Sequence, residues 1–291
     1  MEPHKTMSTA LRIVHGRFGR VALLDMDRSL VRHAHPHCHV LIKVDGADTQ
    51  FSVGRDLIAL NDRQAVLVNA WEAHAYVHIP EHPHTVILAL YIEPEWLKNL
   101  RPNWIAGSAP DFFERPAGEV SPHIRRCAMD LAEAMMAEPE AHAAQQQLLG
   151  DLMIAVIERF TAWRTLSPSL HEIDRGNGVD WRVQRMLRQI RLDPDVGRDV
   201  NSLAKECGLS RAHFYRLFER STRMTPHVYI NVLRTEMAVR SVVQTAESLS
   251  ALGERLGFSA QGHFTRFFRD HTGVNPSEFR QVARIGLMQG A

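Results

Sequence analysis

The sequence predicts a multidomain α+β protein, with an antiparallel β-sandwich or barrel and flanking helices followed by an all-α domain of two helix-turn-helix units. Three observations carry this. Short β-like runs fill Leu11 to Ile92, apolar residues return at helical spacing from about Pro94, and the last hundred residues hold one pattern twice. A length of 291 residues fits about two domains.

The β-like runs are Val21–Leu24, Val40–Val44, Gln50–Val53, Leu57–Leu60, Ala65–Val68, Ala75–Ile79 and Thr85–Tyr91, separated by Asp-Gly, Asn-Asp and Pro. Strands this short and closely spaced form a sandwich or barrel, here at about 11–92, and leave residues 1 to about 10 as an arm. Helices follow at about 94–166. Pro122 to Glu138 carries Ile124, Cys127, Ala128, Leu131 and Met135 at helical spacing, and Ala141 to Leu166 carries Leu148, Leu152, Ala155, Val156, Phe160 and Trp163. Two such amphipathic helices either cap the barrel or face a second copy of the chain. Residues 167–180, polar and containing Gly and Pro, read as a linker between residues 1–166 and 181–291.

In the second region Phe214, Arg216, Phe218, Thr222 and Pro226 recur fifty positions later as Phe264, Arg266, Phe268, Thr272 and Pro276. Leu203, Gly208 and Ser210 recur as Leu252, Gly257 and Ser259, one residue closer, so the second copy has a longer turn. Each copy opens with a short apolar-periodic helix: Val200, Leu203, Ala204 and Cys207, then Leu249, Leu252 and Leu256. Gly208 or Gly257 closes it where a left-handed residue is needed. Ser210 or Ser259 is placed to accept from the free N–H groups of a second helix. That helix buries Phe214, Leu217 and Phe218, or Phe264, Phe267 and Phe268. Such a helix-turn-helix has a second helix that fits a DNA major groove.

Charge supports a nucleic-acid partner. The net +1 hides an asymmetry: Trp181 to Arg284 holds 17 Lys and Arg against 10 Asp and Glu, a net +7, which leaves −6 for the rest. A basic module fused to an acidic one is what a phosphate-binding unit joined to a different unit shows. With 45% apolar and 23% charged residues the chain can bury a sizeable core. No apolar run approaches the length of a membrane-spanning helix, and Met1 to Thr9 lacks a signal-peptide core, so a cytoplasmic protein without a membrane partner is expected. Three scattered cysteines, Cys38, Cys127 and Cys207, form no disulfide framework, and Cys207 reads as packing.

Gly257-Phe258-Ser259, His263 to Phe268, and Thr272-Gly273-Val274-Asn275-Pro276-Ser277-Glu278-Phe279-Arg280 resemble the DNA-binding domain of the AraC/XylS family of bacterial transcription regulators. The resemblance covers about Trp181 to Arg284. It implies a linker helix from Pro226 to about Val243, with Val228, Val232, Leu233, Met237 and Val242 as its apolar side. It offers Arg211, Ala212, His213, Tyr215 and Arg216 of the first reading helix to DNA, and Gln261, Gly262, Thr265 and Arg266 of the second. Arginine pairs bidentately with guanine and glutamine with adenine, whereas phosphate contacts by Arg216 or Arg266 give affinity without sequence information. Three positions depart from the family pattern: Arg223 in place of a turn glycine, Gly253 in place of a packing alanine, and Gly262 in place of a small polar residue.

More weakly, His33-Ala34-His35, Gly46, Asp62 and His74 resemble the motifs of a cupin-type sensor domain, so that 1–166 reads as a cupin-like effector-binding and dimerisation domain. If His33, His35, His37 and His39 lie on one strand, they share a face. By the resemblance His33, His35 and His74 occupy cupin ligand positions, with His39 where many cupins have a carboxylate. A divalent metal is one occupant, zinc or nickel first on ligand softness; an organic effector lined by histidines is the other. His82 and His84, beside Pro83, read as solvated. The resulting expectation is a ligand-responsive regulator without enzymatic activity, a homodimer at a bacterial promoter, more often an activator in this family and so a partner of RNA polymerase. The alternative is a metal-dependent cupin enzyme fused to a DNA-binding domain.

Overall fold

The computed structural model describes residues 8–93, 96–97, 112–161, 181–192, 200–222 and 225–285. The expected linker at 167–180, the second flanking helix beyond residue 161 and the turn at Arg223 lie outside these residues.

The described strands are β1 (Thr9–Gly16), β2 (Gly19–Met26), β3 (Cys38–Gly46), β4 (Thr49–Val53), β5 (Asp56–Leu60), β6 (Gln64–Val68), β7 (His74–Val77), β8 (Thr85–Ile92) and β9 (Ala117–Glu119). They form a six-stranded sheet ordered β1-β2-β8-β3-β6-β9 and a three-stranded sheet ordered β5-β4-β7, with antiparallel pairing throughout. The alternation of a strand sorts the side chains of the large sheet. Val21, Leu23, Val40, Ile42, Leu88 and Leu90 face one core, while Ala22, Leu24, Leu41, Ile87, Ala89 and Tyr91 face the other. β8 is buried on both faces, which explains its unbroken apolar run.

The outer core is closed by α1 (Pro122–Ala137) and α2 (His142–Phe160). Ser121 caps α1 by accepting from the Ile124 N–H at 3.2 Å. Ile124, Cys127, Ala128, Leu131 and Met135 are all buried, so these helices cap the sheet. Met129 and Met136 remain on the outer side of α1, 38% and 43% exposed.

Two N-terminal expectations are corrected. β9 lies where a helical pattern was read; its three residues are too few to show a period, and Gly118 admits the Phe160 ring, which would lie 2.6 Å from a Cβ there. The histidines do not share one strand either. β3 begins at Cys38, and Pro36, which lacks an N–H, interrupts the ladder before it. His33 instead forms an isolated bridge with His74.

The C-terminal domain comprises α3 (Trp181–Leu192), α4 (Val200–Glu206), α5 (Arg211–Thr222), α6 (Pro226–Gln244), α7 (Leu249–Arg255), α8 (Gln261–Thr272) and α9 (Pro276–Ile285). The linker helix α6 contacts α5, α7, α8 and α9. Its buried side is therefore broader than the expected stripe. Val232 and Val242 are buried, Val228 and Leu233 half-buried and Met237 exposed, while Tyr229, Ile230, Ala238, Val239 and Val243 are buried as well.

The two domains share apolar interiors. Met26, Leu41 and Phe51 of the barrel belong to one core with Phe264, Phe268, Val274 and Phe279 of the second unit. α9 packs along β1, where the Ala10 N–H donates to the Glu278 carboxylate at 3.2 Å. Ala34 enters the core of the first unit beside Phe214, Phe218 and Tyr229. No described helix is long and apolar enough to cross a membrane.

Candidate nucleic-acid interface and sensor site

The two reading helices are built alike. Gly208 and Gly257 have φ of 65° and 76°, the left-handed region glycine favours. Each closes its helix with the same pair of bonds: Gly208 N–H to Lys205 O at 2.8 Å and Leu209 N–H to Ala204 O at 2.9 Å, matched by Gly257 N–H to Glu254 O at 2.8 Å and Phe258 N–H to Gly253 O at 2.9 Å. The units differ at the next step. Ser210 accepts from the His213 N–H at 3.3 Å, as expected of a cap. Ser259 does not cap; the extra residue moves the N-cap to Ala260, and Ser259 Oγ lies 2.9 Å from His263 Nδ1.

Burial then repeats position by position. Phe214 and Phe218, like Phe264 and Phe268, are fully buried. Arg211, Ala212, His213 and Arg216 are exposed on α5; Gln261, Gly262 and Arg266 are exposed on α8. Tyr215 and Thr265, at matching positions, are half-buried. Tyr215 lies 6.0 Å from the His227 ring, and its hydroxyl is buried without a partner among the described residues, so it offers less to a groove than its neighbours. Nothing lies within 4 Å of a Cβ built at Gly262, which opens that part of the face. At Gly253 a Cβ would stand 3.1 Å from Phe264 Cβ, so glycine suits the close approach of α7 to α8.

The barrel interior holds the second site. His33, His35, His39 and His74 are each at most 8% exposed. Ring nitrogens of His33, His35 and His74 lie within 4.8 Å of one another. His39, inward on β3, places Nδ1 2.9 Å from His35 Nε2 and 3.3 Å from His74 Nε2. Burial holds all four imidazoles below the ordinary histidine value, His74 at about 4, so they are neutral near pH 7. The cluster borders a cavity of about 20 Å³ whose apolar wall includes Leu24, Met26, Leu30 and Phe51. That volume suits a water or an ion.

Of the remaining expected residues, Asp62 is turned outward and pairs with Arg125 at 3.0 Å. Gly46, at φ 79°, serves the turn beyond β3, where a Cβ would meet His84 O at 2.3 Å. His82 and His84 are exposed. Sequence reasoning missed Tyr91, which stacks on His39 with ring centroids 4.1 Å apart, and Arg20, whose guanidinium covers Tyr91 at 3.8 Å. Period-two reading of β8 places Tyr91 inward with Ile87 and Ala89, so that signal was present.

A family described as a helix-turn-helix domain matches residues 203–282. The chain is 26% identical over 130 residues to the Msm operon regulatory protein of Streptococcus mutans, covering 45% of this chain and 44% of that one. It is 31% identical over 118 residues to the HTH-type transcriptional regulator Rv1931c of Mycobacterium tuberculosis, covering 37% and 44%. Against an uncharacterised HTH-type transcriptional regulator of Haemophilus influenzae it is 26% identical over 106 residues, 36% of each chain. The chain thus spans less than half the length of these relatives. Among solved structures, an apo ToxT variant from Vibrio cholerae has a TM-score of 0.55 at 10% identity, over 93% of this chain and 99% of that one. Wild-type ToxT with bound unsaturated fatty acid gives 0.52 at 9% identity, over 97% and 98%. This likeness is one of fold: an N-terminal β domain with a C-terminal helical domain.

Proposed function

We infer, from a C-terminal domain that belongs to the AraC/XylS family, that the chain is a sequence-specific DNA-binding transcription regulator. The observation that carries this is the repetition of one exposure pattern on α5 and α8, two helices joined through α6, each with an exposed arginine at the same position. The basic charge of 181–284 supplies the phosphate attraction, and the exposed residues of α5 and α8 supply base readout. The named relatives are transcription regulators, which supports the reading.

The barrel acts as a sensor whose occupant biases how the reading helices are held. Differential affinity for two arrangements of the protein is what such control requires. The shared fold of ToxT with bound fatty acid supports an effector-binding role for this domain. The outer face of α1, with Met129 and Met136 exposed, is the surface offered for homodimerisation. Activation through RNA polymerase is the family's common mode. The reading as a metal-dependent enzyme gains no support, because the named relatives are regulators and Glu72 and Glu93 turn their carboxylates to Asn69 and His37.

Selection of duplexes from a random pool with the full chain, followed by footprinting, tests the regulator reading. The expected product is a site with two protected major-groove segments about 10 base pairs apart. Uniform binding of all duplexes, or none, refutes it.

A further inference from the structure

The opening residues of α5 and α8, 211–216 and 261–266, repeat their exposure position by position. The exposed ones are Arg211, Ala212, His213 and Arg216 on α5, and Gln261, Gly262, His263 and Arg266 on α8. Ala212 and Gly262 have no side-chain donor or acceptor. Arg211, His213 and Arg216, with Gln261, His263 and Arg266, are therefore the hydrogen-bonding side chains at the helix ends that enter a groove. His263 is among them, although the family resemblance offers only Gln261, Gly262, Thr265 and Arg266 of this helix.

Most of these side chains are of one type in both helices. His213 matches His263 and Arg216 matches Arg266, whereas Arg211 is matched by Gln261. One turn further on the likeness ends: Glu219 corresponds to Arg269 and Arg220 to Asp270, with the charges reversed. A solvated helix face tolerates such exchanges at little cost. An exposed imidazole adds nothing to the packing of Phe214 or Phe264, so a shared demand for it comes from outside the chain.

The two imidazoles are held differently. The Ser210 hydroxyl accepts from the His213 N–H at 3.3 Å and is taken up by the backbone. In the second unit the N-cap has moved to Ala260, and the freed Ser259 Oγ lies 2.9 Å from His263 Nδ1. A hydroxyl both donates and accepts, so it holds this ring in either tautomer and leaves Nε2 to meet a ligand. When Ser259 donates to Nδ1, Nε2 carries the proton and donates alongside the Arg266 guanidinium. His263 and Arg266 are i,i+3 neighbours, as His213 and Arg216 are, so each pair serves one patch of groove. Guanine, with N7 and O6 both acceptors in the major groove, suits such donors.

We propose that His263 is a specificity-determining DNA contact positioned by Ser259, and that with Arg266 it reads in the second groove segment the guanine-bearing step that His213 and Arg216 read in the first. Arg211 against Gln261 then tells the segments apart, arginine favouring guanine and glutamine adenine. This role rests on the regulator reading above.

The full-length chain is titrated by fluorescence anisotropy, at one salt concentration, against the selected duplex with each base pair of both protected segments replaced in turn. A guanine-bearing step common to both segments is expected. His263→Ala should lower discrimination at one base pair of the second segment about fivefold, the low end for a base contact, and His213→Ala should do so at the matching base pair of the first. Ser259→Ala should give a smaller loss at the His263 position, and Ser259→Thr, which keeps the hydroxyl, should restore it. Gln261→Arg should turn an adenine preference in the second segment into one for guanine. Thermal melts by circular dichroism establish that the variants fold. A lowered melting midpoint in Ser259→Ala with unchanged base preference would make the pair a helix-stabilising contact and overturn the positioning role. Equal losses on every duplex in His263→Ala would make it a phosphate contact. That result, an unchanged profile, or segments with no common step overturns the specificity role while the regulator reading stands. Wild-type protein without any base preference would fell that reading, and this role with it.

Discussion

The indole of Trp71 stacks on the phenol of Tyr229, with ring centroids 5.2 Å apart and planes inclined by 23°. The pair joins a turn of the barrel to the first turns of α6, the helix that carries both reading units. Trp71 is also the one described non-glycine residue with a positive φ, 65°. A bulky residue in the left-handed region is strained and persists where its surroundings hold it. Here the holders are the stack, which joins the barrel to α6, and the bond from the Trp71 N–H to His35 O, which lies within the barrel.

Removing that stack should loosen the junction. Aromatic pairs contribute about 0.5–1.5 kcal/mol beyond their buried area, so Trp71→Ala should speed amide exchange in the first turns of α6 by about two- to tenfold. Trp71→Gly also relieves the strained φ and should leave the turn better ordered locally while the junction stays loose. Unchanged exchange in both variants would show that the stack does not hold the domains.

Arg216 is exposed on α5 at the position of Arg266 on α8. Arg216→Ala should weaken binding to the selected duplex by about 1–3 kcal/mol and flatten its preference at one base position. Equal losses on selected and random DNA would make Arg216 a phosphate contact, with a shallower salt dependence as the accompanying sign.

Gly208 separates conformational strain from crowding. It has φ 65°, and nothing lies within 4 Å of a Cβ built there. Gly208→Ala should therefore cost about 1–2 kcal/mol through backbone strain alone, with Gly208→Asn milder. Gly253→Ala is the opposite case, with ordinary backbone and a contact of 3.1 Å to Phe264. Thermal melts of the three variants check this; a loss at Gly208 equal for Ala and Asn would contradict a purely conformational cause.

The parts of this protein that sequence made legible are those with a period or a duplicate. Strands β2 to β8, the helices that cover their outer sheet and the two helix-turn-helix units announce themselves through spacing, and the repeat even locates the exposed positions, whereas β1 and β9 showed no such run. What stayed hidden depends on contacts between distant segments. His33 and His35 were found as a motif, but their placement before β3 rather than on it follows from Pro36 and from the bridge between His33 and His74. The burial of Gly273 against Met26 and Leu30, and of Ala34 in the first unit's core, leaves no periodic trace in either segment. Ser259 misled because one inserted residue moved the cap to Ala260, a shift that identical residue types conceal.

Docking of α9 on β1 should weaken in mild acid through His15. Its ring lies 6.2 Å from Phe279, and its Nε2 is buried without a partner among the described residues. Burial, with Arg20 and His37 adding in the same direction, takes it from 6.5 to about 3. A lowered value in the docked state means that docking has its full strength above about 6.5 and loses it as pH falls towards 3. At about pH 5 the loss reaches roughly 2 kcal/mol if release of α9 restores the ordinary value. Glu278 on α9 opposes this, since burial raises its carboxyl and acid then favours the docked form, though its bond from the Ala10 N–H offsets part of that rise. Stability followed by urea unfolding from about pH 7.5 to pH 5 should fall more steeply for wild type than for His15→Gln, which cannot titrate. Parallel curves would assign the acid sensitivity to other groups, the buried cluster first among them.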